Sequence, residues 1–278
     1  MPPSRSRPTS HLTDSLFLFE ARVLEQGRDG GSRTSLQARN NLGVAHFEAG
    51  RYDVAVAAFE PVVEDCTSML GDGDVDTLVA VGNLAVAYVH LERWEQGLAL
   101  LIENVAARER AFGEVHPMTM TARHAQATAF QMAGRLPDAL ATFSTVAAQR
   151  SRALGPAHPD ALASRVGLAL ARAESGDTAA AVPGLAAALQ DAEQSAGPYT
   201  ASTVTIRIHL ADCHMELGNL DEALAGIKRA AADCATVLGA GAPLVAALQS
   251  EVSTLARGSV APDSDRVGTA GVPARAEQ

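Results

Sequence analysis

Lysine occurs once in 278 residues, at Lys228, and its neighbours Ile227 and Arg229 do not make the Gly-Lys-Ser/Thr of a phosphate-binding loop. A Walker-type ATPase or GTPase is thereby excluded. Cysteine is almost as scarce. Cys66, Cys213 and Cys234 form no CxxC pair and leave an odd thiol in any disulfide scheme, which points to a reduced compartment. Long apolar runs are missing. Leu16 to Phe19 is too short for a secretory signal, and no stretch approaches the ~18 apolar residues of a membrane span. The expected location is cytoplasmic. Positive charge is in deficit, with 22 Lys and Arg against 32 Asp and Glu, a net charge of −10 and a pI near 5.2. Such a chain repels phosphate backbones and anionic lipid, so neither nucleic acid nor membrane is expected as a partner. No segment alternates apolar and polar residues with period 2, so no sheet is read.

What is abundant is alanine, in a chain that is 47% hydrophobic but only 4% aromatic. Alanine has the best helix propensity and lets helices approach closely. The residues also repeat. Gly71, Gly113, Gly155, Gly197 and Gly239 are each 42 apart. The same period runs through Gly50, Glu92, Gly134, Gly176 and Gly218, with one departure, and through Ala45, Ala87, Ala129, Ala171 and Cys213. A further small series is Ala55, Gly97, Ala139, Ala181 and Ala223, and a large apolar one is Phe59, Leu101, Phe143, Leu185 and Ile227. A fixed period of this length is the mark of a solenoid.

Each period reads as two helices. In the third, a helical run from Met120 to Ala133 meets a turn at Gly134-Arg135. Pro137 opens a second helix to about Leu154, which Gly155 ends. His158-Pro159-Asp160 then breaks the chain, with Asp160 as the expected cap of the next helix. The motifs Asn40-Asn41-Leu42-Gly43-x-Ala45 and Gly50-Arg51-Tyr52-x-x-Ala55, with the linkers Gly113-x-x-His116-Pro117 and Gly155-x-x-His158-Pro159, resemble the tetratricopeptide repeat. The variety is the 42-residue, kinesin-light-chain-like one found in tandem in actinobacterial proteins.

The resemblance implies an all-α fold, a right-handed α-solenoid of about five helix pairs with capping helices. Repeats are expected at about 34–76, 77–118, 119–160, 161–202 and 203–244. Capping helices at 14–27 and 245–257 complete a solenoid over 13–257, between disordered tails at 1–12 and 258–278. Two linkers depart from His-Pro: Tyr199-Thr200 in the fourth unit and the acidic Asp72 to Asp76 in the first. A different junction is expected at each.

Catalytic sets are wanting. There is no HExxH and no GxSxG, and no cysteine–histidine pair has an orienting partner, so the chain is not read as an enzyme. The strongest metal candidates are His209 and Cys213, one helical turn apart with Asp212 beside them, but zinc sites want three or four ligands and Cys213 falls in the small-residue series. No metal or cofactor is expected.

In proteins of this resemblance, the first helix of each pair lines the inner, concave face. The stripe opposite the core then holds Gln37, Asn40, Asn41 and Val44, followed by Asn83 and Val86, then His124 and Thr128. Farther on it becomes apolar at Val166, Leu170 and Ile208. Asparagines at such positions hold the backbone of an extended peptide in kinesin light chains, so Asn40, Asn41 and Asn83 are candidates for that role. The function implied is a non-enzymatic scaffold or adaptor binding a protein or an extended peptide. The alternative is a regulatory sensor whose superhelix responds to a peptide or small ligand and acts through a partner protein.

One series suggests an anion ladder: Arg39, Val81, Arg123, Arg165 and Arg207. Its phase places it on the core stripe instead. A late second-helix series, Asp65, Ala107, Gln149, Asp191 and Asp233, changes in step with it. The expected contacts are Arg39–Asp65, Arg165–Asp191, Arg207–Asp233 and a weaker Arg123–Gln149.

Overall fold

The computed structural model of the chain describes residues 32–259. The tail expected at 1–12, the capping helix expected at 14–27 and all but the first two residues of the tail expected at 258–278 lie outside the described residues. Among the described residues all regular structure is helical. The helices are α1 (Arg33–Glu48), α2 (Tyr52–Leu70), α3 (Val75–His90), α4 (Trp94–Phe112), α5 (Pro117–Met132), α6 (Leu136–Leu154), α7 (Pro159–Glu174), α8 (Thr178–Ala196), α9 (Ala201–Glu216), α10 (Leu220–Leu238) and α11 (Pro243–Ser259). Odd-numbered helices up to α9 have 16 residues and even-numbered ones 19.

Local chemistry sets these boundaries. Ser32, Asp74, His116, His158 and Thr200 recur with the glycine period, each capping a first helix with a side-chain acceptor. The cap of α7 is therefore His158 and not Asp160, because the His158 Nδ1 accepts the Asp160 amide at 3.2 Å. His116 does the same for Met118 at 3.3 Å. The two linkers without His-Pro use the same device with other groups: Asp74 Oδ1 accepts from Asp76 at 2.9 Å and Thr200 Oγ1 from Thr203 at 3.2 Å. A hydroxyl, a carboxylate and an imidazole nitrogen all satisfy an orphan N–H at a helix start.

The turn inside each pair is a Schellman motif, in which Gly50 donates to Phe47 and Arg51 to His46, closing the last carbonyls of α1. The same bonds recur at Gly134-Arg135 and Gly218-Asn219. Each second helix ends on a glycine such as Gly71, at φ 89° and ψ 162°, a region that only glycine enters without strain.

The helices fall into two compact units, residues up to Asp177 and from Thr178 onward. In the first, each helix packs on the next, and α1 also touches α3, α3 touches α5, and α5 touches α7. First helices meet across the repeat and second helices do not, which puts α1, α3, α5 and α7 on the inner side of this unit. Its interior is small and tightly fitted. Phe59 and Phe143 are each 1% exposed. A Cβ at Gly43 would lie 2.4 Å from the Phe59 ring, and one at Gly167 would lie 2.5 Å from the Phe143 ring. The two large rings are thus matched by two missing side chains, as close packing requires. Trp94, half-buried, packs against the cluster around Val89, Leu101 and Phe143. In the second unit α8 packs on α9, α9 on α10 and α10 on α11, around Ile227, Ala230 and Val245.

Candidate functional site

All eight candidate site residues belong to the first unit and lie on α1, α3 and α5. The structure gathers three of them, with their neighbours, into one cleft. Gln37, Asn40 and Asn41 line it together with Leu36, Cys66, Asp76 and Val79. Gln37 and Asn41 are exposed, Asn40 is half-buried, and Cys66 closes the bottom.

The polar groups here are cross-linked between repeats. Asn83 Nδ2 of α3 donates to Asn40 Oδ1 of α1 at 3.1 Å. Among the described residues neither the Asn40 NH₂ nor the Asn83 side-chain carbonyl oxygen has another hydrogen bond, so each side-chain amide keeps one group in hand. Gln37 Nε2 donates to Asp76 Oδ2 at 3.1 Å and to Oδ1 at 3.2 Å. Arg33, exposed, pairs with Asp76 at 2.5 Å and also with Asp74, which holds the Asp74 carboxyl below the usual carboxylate range. Val44 and Val86 are half-buried and pack against the clusters on either side.

His124 and Thr128 stand elsewhere on the inner face and are not drawn into the cleft. The Thr128 hydroxyl donates to the His124 carbonyl of its own helix at 3.1 Å. The His124 ring meets Phe143 edge-on at 5.5 Å between centroids, and its Nδ1 lies 3.2 Å from Ser164 Oγ. Burial, and then the nearby Arg150 guanidinium, push the His124 pKa down to about 4. It is a neutral imidazole in a packed seam.

The arginine series behaves as a structural one where the contacts are drawn. Arg39 Nη1 donates to Asp65 Oδ2 at 2.6 Å and Arg123 Nη1 to Gln149 Oε1 at 2.6 Å. Arg207 pairs with Asp233, both almost fully buried. Arg165 donates to the Pro156 carbonyl at 2.8 Å. A feature unseen in the sequence is a second carboxylate. Arg123 also binds Glu109 at 2.6 Å and Arg207 also binds Glu193, so each guanidinium ties its own pair to the pair before it. The available signal was the equal spacing of Glu109 from Arg123 and of Glu193 from Arg207.

The other chemical candidates stay dispersed. Cys66, Cys213 and Cys234 are free, buried thiols, pushed up in pKa chiefly by burial. Among the described residues no group of three or more His, Cys, Asp or Glu could hold a metal ion. No described helix is long and apolar enough to cross a membrane.

Capped helices that pack in sequence within each unit and repeat with one fixed period define an α-helical repeat protein. The tetratricopeptide repeat family matches it at residues 35–76 and again at 76–145, so over that stretch the chain is built of tetratricopeptide repeats. Its structural likeness is to kinesin-light-chain-like proteins. A single-substitution variant of a kinesin-light-chain-like protein of Podosopora anserina with nearly identical TPR-like repeats superposes with a TM-score of 0.66 at 24% identity, over 73% of this chain and 96% of that one. BtubC (BKLC) of P. vanneervenii gives 0.68 at 13% identity, over 96% of this chain and all of that one. A thermophilic TPR protein of Thermus thermophilus gives 0.52 at 20%, over 80% and 99%. No curated protein is significantly similar to the chain in sequence.

Proposed function

We propose that this chain is a non-enzymatic binding scaffold that takes an extended segment of another protein against the inner face of its first unit. The observation that carries the reading is the cleft between α1 and α3, where Gln37, Asn40 and Asn41 present side-chain amides beside a half-buried apolar wall. An amide offers both a donor and an acceptor, which is what a peptide backbone needs in order to dock without secondary structure of its own. The fold supports the reading because a tetratricopeptide solenoid supplies extended surface and no reaction centre. His124 serves the architecture of the α5–α7 seam and the Thr128 hydroxyl is turned onto its own helix, so the proposed binding stretch is shorter than the eight candidate residues suggest and centres on α1 and α3.

Selection of a displayed peptide library on the whole chain tests this. Enriched peptides should lose affinity about tenfold or more when Asn41→Ala and Asn83→Ala are combined. The double variant should melt within a few degrees of the parent, since it loses one half-buried hydrogen bond. Peptides that bind the double variant as well as the parent would move the site off this face.

A further inference from the structure

Three successive seams of the first unit occupy the same register, and one of them is unlike the others. At the α3–α5 seam, Arg108 enters from α4. Its Nη2 donates to the Leu78 carbonyl at 2.8 Å, its Nη1 to the Met118 carbonyl at 3.0 Å and its Nε to Asn104 Oδ1 at 2.8 Å. At the α5–α7 seam, one period on, Arg150 enters from α6. It donates to the Asp160 carbonyl at 3.1 Å, to Ser164 Oγ at 2.9 Å and to Thr121 Oγ1 at 3.2 Å. Arg108 and Arg150 are 7% and 4% exposed, and the acceptors drawn to their guanidiniums are carbonyls, hydroxyls and an amide. The seam is a seat built for a guanidinium out of carbonyl, hydroxyl and amide oxygens.

At the α1–α3 seam the equivalent residue is Cys66, too short to reach in. The cleft stands where the arginine would be. Its lining residues are the register partners of the other seats: Leu36 and Asp76 correspond to Leu78 and Met118 of the α3–α5 seat, and Gln37 and Asp76 to Thr121 and Asp160 of the α5–α7 seat. Asp76 also shares its register with Asp160, whose charge favours the Arg150 cation. The open seat thus carries the same carboxylate as the α5–α7 seat. That charge is felt at the floor, where burial and then Asp76 push the Cys66 thiol up.

We propose that the open α1–α3 seat receives the guanidinium of an arginine side chain from the bound segment, completing this seam as Arg108 and Arg150 complete the next two. This rests on the scaffold reading above and adds the partner's chemistry. The side chain enters from the inner side, past the exposed Gln37 and Asn41. Its planar fork holds two N–H donors at a fixed span, as on the two carbonyls of the Arg108 seat, whereas the compact ammonium of lysine lacks that span, and Asp76, shared with Arg33, balances its charge.

The test is a titration of the isotope-labelled whole chain with acetyl-Ala-Ala-Arg-Ala-Ala-amide and its lysine, citrulline and glutamate counterparts, followed by NMR. The arginine peptide should shift the side-chain amides of Gln37, Asn40 and Asn41 saturably, and the others should bind at least about tenfold more weakly. Cys66→Arg should fill the seat from within, melt no lower than the parent and abolish those shifts. Should that variant fail to fold, Cys66→Met fills the same space and carries the same expectation for binding. Equal binding of arginine and citrulline peptides, or arginine binding that survives closure of the cleft, overturns the proposal. Display-selected peptides that lack arginine yet depend on Asn41 and Asn83 would also overturn it while leaving the scaffold reading intact. Saturable arginine binding with no selected peptide would do the reverse.

Discussion

Glu92 is the only non-glycine among the described residues with positive φ, 59°, at a turn where Gly50, Gly134 and Gly218 sit at 72°, 71° and 77°. An L side chain there costs about 1 kcal/mol. Glu92→Gly should therefore raise the melting temperature by a few degrees, and a lower one would show that a contact of the carboxylate offsets the strain. His124 gives a second residue-scale expectation. Its pKa is about 4 in the folded chain and near 6.5 when unfolded. As pH falls below 6.5 the unfolded chain takes up a proton that the folded one declines, so stability drops through this window, by about 3 kcal/mol at pH 4. Urea unfolding across that range should show a shallower pH slope for His124→Gln than for the parent. Equal slopes would mean that the ring titrates freely in the folded state. Gly167→Ala should destabilise by about 1–3 kcal/mol, because its Cβ would lie 2.5 Å from the Phe143 ring. Phe143→Leu should absorb most of that cost in the double variant.

Between elements, the arginine contacts differ in worth because they differ in burial. The Arg207 and Asp233 side chains are 5% and 4% exposed, whereas those of Arg39 and Asp65 are 31% and 47% exposed. Removing one member of a buried pair strands the other charge and costs about 3–5 kcal/mol, while an exposed pair is worth about 0–1 kcal/mol. Arg207 keeps Glu193 when Asp233 is removed, so Asp233→Ala should cost less than that full range but clearly more than Asp65→Ala, as read by chemical denaturation; comparable losses would contradict the difference in burial. The Arg39–Asp65 and Arg207–Asp233 contacts were legible in the sequence because both series keep one register and change together. Glu109 and Glu193 were not, since they act across the boundary of a pair and the eye follows one pair at a time. Arg108 and Arg150 were hidden for another reason: an arginine buried on carbonyls runs against the usual distribution, and only the bonds to Leu78, Met118 and Asp160 reveal it. The candidate groove was half legible. Periodicity put the amides of α1 and α3 on one face, but it could not tell that the ring of His124 turns into the α5–α7 seam toward Ser164.

Over the whole chain, the period carries most of the information about fold. The glycine and alanine series locate the turns and close contacts of α1 to α10 before any coordinate is known, because each pair needs only its neighbours to bury its face. That independence has a measurable form. Deleting residues 119–160 joins Met118 to Ala161 in register, keeping the His116 cap and removing one whole pair. The shortened chain should keep its helical signal per residue and a cooperative melt, whereas deletion of 119–139 should lose both. Non-cooperative melting of both would mean that the pairs are not interchangeable units.

Trp94 is the only tryptophan in the chain, and it is packed into the first unit beside Val89 and Leu101. Its emission is therefore a private signal of residues up to Asp177, while far-ultraviolet ellipticity sums over every helix on both sides of that boundary. Recorded together during one denaturant titration, the two spectroscopies separate what neither can alone. Coincident curves mean that the two units melt as one. An emission change completed before or after the ellipticity change gives each unit its own midpoint, with no label and no mutation introduced.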